Sequence, residues 1–147
     1  MNPKTLLIYD TKRGSTEMIA SWIAEELGSV DLKRASEEVD VGSYDLIIVG
    51  TPVYNLRPLE TVERFIERNL DALKKKKVVL FTVGLSKRLA RFCLNKIESK
   101  YGIKLVTEAV FLGKLGFINR MDEKEVRNFA RKIKETFYSK EEPSGTT

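Results

Sequence analysis

The 147-residue chain predicts a three-layer α/β domain, with five parallel strands in a doubly wound sheet and helices on both faces. Short runs rich in Val, Ile and Leu alternate with stretches whose apolar residues recur every three or four positions, the pattern of strands joined by crossover helices. The length suits one domain of about 100 to 200 residues and can bury an apolar core without disulfides or metal. The composition, 42% hydrophobic and 32% charged, is that of a globular chain. Its longest apolar runs, 46–49 and 78–81, are too short to span a bilayer.

Residues 5–9 read as a buried first strand. From Thr16 the spacing of Ala20, Ile23, Ala24 and Leu27 gives a helix that Gly28 caps. Residues 30–34 alternate as an edge strand, and the polar stretch 36–43 has room for a short helix. Residues 46–50 form a central strand, and 60–73 form one helix with Val62, Phe65, Ile66, Leu70 and Leu73 on a single face. Another buried strand covers 78–83. Leu89, Phe92, Cys93, Ile97 and Tyr101 then repeat the helical spacing, and 104–112 alternate as the fifth strand. The last helix opens at Asp122 with Glu125 three residues on, a capping box, and carries Val126, Phe129, Ile133 and Phe137 as its buried stripe. The tail 140–147, rich in Glu, Ser, Gly and Thr, is expected to be disordered, which leaves 1–139 as the domain.

With no histidine and one cysteine, Cys93, the chain has no means to build an intrachain disulfide, a Cys-rich zinc site, a Ser-His-Asp triad or a histidine acid/base pair. Cys93 sits on an apolar stripe and reads as an inert buried thiol; Trp22 reads as packing. The N-terminus runs from Met-Asn-Pro-Lys straight into the first strand with no secretory pattern, so a cytoplasmic protein is expected. The net charge of +5 is uneven: residues 1–73 carry −5, residues 74–104 carry +9 and residues 105–147 carry +1. Of the middle segment's cations, Lys74, Lys75, Lys76 and Lys77 suit a helix C-terminus.

Ligands of doubly wound sheets sit beyond the carboxyl ends of the strands, where the strand order reverses. The loop after strand one is Asp10-Thr11-Lys12-Arg13-Gly14-Ser15-Thr16. Three hydroxyls, a turning glycine and the free N–H groups of a helix start make a phosphate cradle. A plain turn would instead spend Ser15 or Thr16 as the N-cap. The spacing fits neither GxxxxGK[ST] nor GxGxxG. A phosphoacceptor receiver would use Asp10 but needs a second aspartate after strand three, where Gly50-Thr51-Pro52 stands.

The segment 7–23 resembles the FMN-binding segment of the flavodoxin family, whose Thr/Ser, Gly, Thr, Ala and aliphatic positions fall on Thr11, Gly14, Thr16, Ala20 and Ile23. The resemblance implies a flavodoxin-like sheet with strand order 2-1-3-4-5 and an FMN phosphate bound by Thr11, Lys12, Arg13, Gly14, Ser15 and Thr16. It also implies that two further loops flank the isoalloxazine ring. The first supplies Thr51, Pro52, Val53, Tyr54 and Asn55, stiffened by Pro52 and Pro58, with Tyr54 placed to stack. The second supplies Val83, Gly84 and Leu85, where many members of the family carry a stacking tyrosine; Leu85 is the residue available here. Lys87, Arg88 and Arg91, with Arg13 and Arg57, are expected to form a positive rim that eases flavin reduction.

The function this implies is that of an FMN-binding electron-transfer protein, in which no side chain serves as catalytic acid or base. Its partner would be a redox protein, acidic by complementarity, or an anionic small molecule. The chain is also similar to the menaquinone-dependent protoporphyrinogen oxidase branch, in its basic middle and last helix, but lacks that branch's extra segment around the fifth strand. An FMN-dependent oxidoreductase acting on a quinone or porphyrinogen-like anion is therefore the alternative. Nucleic-acid binding is not expected, because the basic segment has no interleaved aromatic platform.

Overall fold

The computed structural model describes residues 2–138; the expected disordered tail and the 139/140 boundary lie outside them. In chain order the elements are β1 (Thr5–Tyr9), α1 (Ser15–Leu27), β2 (Asp31–Arg34), a 3-10 turn (Val41–Ser43), β3 (Leu46–Tyr54), β4 (Arg57–Pro58), α2 (Glu60–Arg68), α3 (Leu70–Lys75), β5 (Lys77–Gly84), α4 (Lys87–Tyr101), β6 (Leu105–Leu112), β7 (Lys114–Leu115), β8 (Ile118–Asn119) and α5 (Glu123–Phe137). The parallel strands lie in the order β2-β1-β3-β5-β6, which is 2-1-3-4-5 among the five.

Strict alternation along β1 explains the three layers. Leu6 and Ile8 face a core shared with Val62, Phe65, Leu94 and Ile97 of α2 and α4, whereas Leu7 and Tyr9 face a core shared with Ile19, Ile23, Phe129 and Ile133 of α1 and α5. Burying both faces is what makes these strands continuously apolar. At Gly50 a Cβ would come within 2.1 Å of the Phe81 ring, so the glycine after the apolar run of β3 is fixed by packing. Gly28 caps α1 with its N–H on Ala24 O, and Asp122 caps α5 by accepting the Glu125 N–H.

Several boundaries depart from the sequence reading. The helix expected over 60–73 breaks at Asn69, where φ is −113° and the side-chain amide donates to Phe65 O. In α4 the buried face is Ala90, Cys93, Leu94, Ile97 and Tyr101, so Leu89 and Phe92 are exposed. The Glu125 carboxylate pairs with Lys87 instead of closing the capping box. The strand ending at Gly50 continues to Tyr54 and turns back through β4. The antiparallel pair β7–β8 has no counterpart in the sequence reading.

Candidate ligand-binding site

At the carboxyl edge of the sheet, the ends of β1, β3, β5 and β6 enclose a cavity of about 390 Å³. Thr11, Lys12, Arg13, Ser15 and Thr16 line one end; Pro52, Val53, Tyr54 and Asn55 form one wall; and Val83, Gly84 and Leu85 form another. Twelve of the fourteen candidate residues thus meet around one space. Gly14 and Thr51 do not line it. Gly14 adopts φ 94° as the N-cap of α1 and donates its N–H to Thr11 Oγ1 at 2.8 Å. Thr51 is fully buried; its Oγ1 accepts the Leu59 N–H at 2.9 Å, fixing the start of α2. Gly113 and Lys114 complete the lining, and the sequence reading did not include them.

The loop after β1 is preorganised by bonds that leave its donors free. Asp10, 5% exposed, accepts the Thr11 N–H at 2.9 Å, the Arg34 guanidinium at 2.9 and 2.6 Å and the Thr61 hydroxyl at 2.6 Å. Burial raises its pKa, but the bonds from Thr61, Thr11 and Arg34 outweigh that and hold the carboxyl below its ordinary value. This aspartate is engaged as a structural anchor on three sides.

Neither hydroxyl of the α1 start acts as an N-cap. Ser15 Oγ accepts the Lys114 N–H at 3.0 Å, and Thr16 Oγ1 is buried with no hydrogen-bond partner. An orphaned hydroxyl in a cavity wall costs free energy. The first-turn amides of α1 likewise have no partner within the helix. A bound phosphate would satisfy both, so the residues present fit such a group, and neither hydroxyl is spent on the N-cap that a plain turn would use.

The walls are suited to a flat ligand. Tyr54 is half-buried, with Lys12 Nζ 5.3 Å from its ring centroid. The turn from β3 to β4 holds Asn55 at φ 51° and Leu56 at φ 63°; two consecutive positive φ values mark a type I′ hairpin turn, which favours Asn at the first position and strains Leu at the second. On the opposite wall Leu85 is 53% exposed. Its carbonyl accepts a hydrogen bond from Arg120, whose Nε is buried without a partner. Sequence reasoning missed Arg120, because it lies in a short segment between the fifth strand and the last helix that shows no period.

The cavity lining carries three cations, Lys12, Arg13 and Lys114, and no carboxylate. Of the expected rim only Arg13 lines the cavity: Lys87 pairs with Glu125, Arg91 with Glu108 and Arg57 with Glu63, and none of these, nor Arg88, lines it. Long-range pairing thus engages the very cations that sequence order alone set beside the site. Cys93 is fully buried, its thiol pushed up to about 11 by burial, and lies on the core side of α4. Trp22 packs against the α1–α5 core.

Fold and cavity together define an α/β domain with a cation-bearing, carboxylate-free cavity at the switch point of its sheet. Residues 6–121 match the family model described as a flavodoxin domain, and the chain belongs to that family. It is 34% identical over 85 residues to a flavodoxin of Synechococcus elongatus (strain ATCC 33912 / PCC 7942 / FACHB-805), a match covering 53% of this chain and 50% of that protein. The chain thus spans about half the length of this curated relative. Flavodoxin 2 of Bacillus cereus superposes with a TM-score of 0.70 at 25% identity, covering 91% of this chain and 99% of that one. A flavoprotein of Lactobacillus acidophilus NCFM, solved in complex with FMN, superposes at 0.59 with 20% identity, covering 74% and 93%.

Proposed function

We propose that this domain binds FMN and carries electrons between redox partners. The observation that carries the reading is the orphaned Thr16 hydroxyl in a carboxylate-free, cation-bearing cavity. Thr11, Lys12, Arg13, Gly14, Ser15 and Thr16 would hold the phosphate. Of these, Thr16 Oγ1 and the first-turn amides of α1 donate directly, and Gly14 shapes the loop. Pro52, Val53, Tyr54 and Asn55 would cover one ring face, with Thr51 anchoring that wall from behind, and Val83, Gly84 and Leu85 would cover the other. FMN supplies the redox chemistry when bound; the chain orients it and excludes water from one face. Relatives support the cofactor: the matched Synechococcus protein is a flavodoxin, and the L. acidophilus flavoprotein is described with FMN.

The partner is a redox protein with acidic groups facing Arg13 and Lys114, or an anionic small molecule; neither requires nucleic acid. Turnover of a quinone or porphyrinogen-like anion is the second reading, favoured by the exposure of Leu85, which leaves one wall without an aromatic cover. A cytoplasmic location belongs to the same proposal. Among the described residues no helix is long and apolar enough to cross a membrane.

The test is Thr16→Val, which keeps the branched shape and removes the hydroxyl. FMN affinity measured by flavin fluorescence quenching falls roughly tenfold or more, the worth of a hydrogen bond to a charged group. The FMN-free protein becomes more stable to urea by about 1 kcal/mol, because a buried unsatisfied group is gone. Unchanged FMN affinity would refute the phosphate assignment.

A further inference from the structure

Beside the cavity the chain builds a short finger that the flavin reading does not use. β7 and β8 form a hairpin with Gly116 at φ 60° in its turn, and three of the four residues 115–118 are large and apolar: Leu115 is 47% exposed, Ile118 60% and Phe117 fully exposed at 107%. Exposing a whole phenyl ring forgoes burial that a core position would secure. The finger is nonetheless firmly rooted. Gly113 donates its N–H to Gly84 O at 3.1 Å, Lys114 donates its N–H to Ser15 Oγ, and Arg120 donates to Leu85 O. Leu85, whose carbonyl Arg120 holds, adds exposed apolar surface at the foot of the finger.

The charge around this tip has one sign. Residues 113–121 contain Lys114 and Arg120 and no acid. The adjoining cavity, which Lys114 also lines, adds Lys12 and Arg13. Among the described residues none of these four cations forms an ion pair. Of the acids that follow in sequence, Asp122 caps α5, Glu123 pairs with Arg127 and Glu125 pairs with Lys87.

We propose that the 114–119 finger docks this protein onto an anionic lipid surface, with Phe117 and Ile118 entering the headgroup boundary and the surrounding lysines and arginines lying over the lipid phosphates. Three features favour a bilayer over a protein groove. The tip is convex, which suits a deformable surface. It offers apolar area and positive charge, the two non-directional properties that lipid boundaries read. It offers few directional groups: the one side-chain acceptor among residues 113–121, Asn119 Oδ1, is spent on the Met121 N–H, and Arg120 donates to Leu85 O, whereas protein interfaces carry about one hydrogen bond per 100–200 Å². Since Gly113 and Lys114 also line the cavity, docking sets that cavity beside the lipid boundary. The proposal goes beyond the FMN reading and does not depend on it.

The experiment is co-flotation of the full chain with vesicles of two parts phosphatidylcholine to one part phosphatidylglycerol, against pure phosphatidylcholine. The protein floats with the mixed vesicles only, and salt at ~0.5 M releases it. Phe117→Ser and Ile118→Ser each weaken binding roughly tenfold and leave FMN affinity, measured in parallel, unchanged. That parallel titration separates failure of docking from failure of the cofactor reading. Absence of binding to the mixed vesicles overturns the proposal, as does binding unaffected by both substitutions, and either result leaves the finger to a protein partner. Sedimentation velocity without lipid adds a further check: a self-associated species that Phe117→Ser dissolves would assign the finger to a second copy, one candidate seat being the acidic depression at Glu37, Glu38 and Asp40, and would also overturn it.

Discussion

Asp10 shows how one residue ties the site to the fold. It directly follows β1, holds the Thr11 amide and reaches Arg34 of β2 and Thr61 of α2, so three elements converge on one buried carboxylate. Replacing it with Asn removes the charge those donors were arranged to meet and costs about 1 to 3 kcal/mol at neutral pH. The pH dependence follows from its lowered pKa. Its stabilisation is fully present above the ordinary value of 3.8 and is lost as pH falls through the lower folded-state value. Urea titrations of wild type and Asp10→Asn therefore stay separated from pH 7 down to about 4 and converge only in stronger acid. Sequence alone placed Asp10 correctly at a strand end, but its partners lie 24 and 51 residues away, and no spacing rule connects them. Thr16 was legible as a cradle residue from its place in the loop; that its hydroxyl stands unpartnered was not, because orphaning depends on what the neighbouring loops leave empty.

Among the elements, those with a strong period were legible and those set by two or three residues were not. The five long strands and helices α1, α4 and α5 follow from alternation and from three-to-four spacing, which survive small errors of phase. The interruption at Asn69 does not disturb the apolar face of 60–73, so periodicity runs straight through it. The turn at Asn55–Leu56 and the hairpin 114–119 involve strands of two residues, too short to show a period. The β3–β4 turn carries its own prediction. Leu56 occupies the second positive-φ position of a type I′ turn, where glycine is the preferred residue. Leu56→Gly relieves that strain and raises stability by about 1 kcal/mol despite glycine's greater unfolded-state entropy, read as a higher urea midpoint at unchanged slope.

For the molecule as a whole, charge is where sequence and structure part most clearly. The +9 of residues 74–104 pointed to a flavin-side rim, but Lys87 and Arg91 are neutralised by acids 38 and 17 residues away. The cavity's positive character comes instead from Lys12, Arg13 and Lys114, at opposite ends of the chain. These cations and the free donors of the α1 start face the same space, and we propose that this space receives a phosphate attached to a planar group. Calorimetric titration of the cofactor-free protein with FMN and with riboflavin, its phosphate-free counterpart, tests that claim most directly. FMN is predicted to bind about 100-fold or more tightly than riboflavin, the worth of two charge-assisted hydrogen bonds; equal affinities, or no binding of either, would contradict the account.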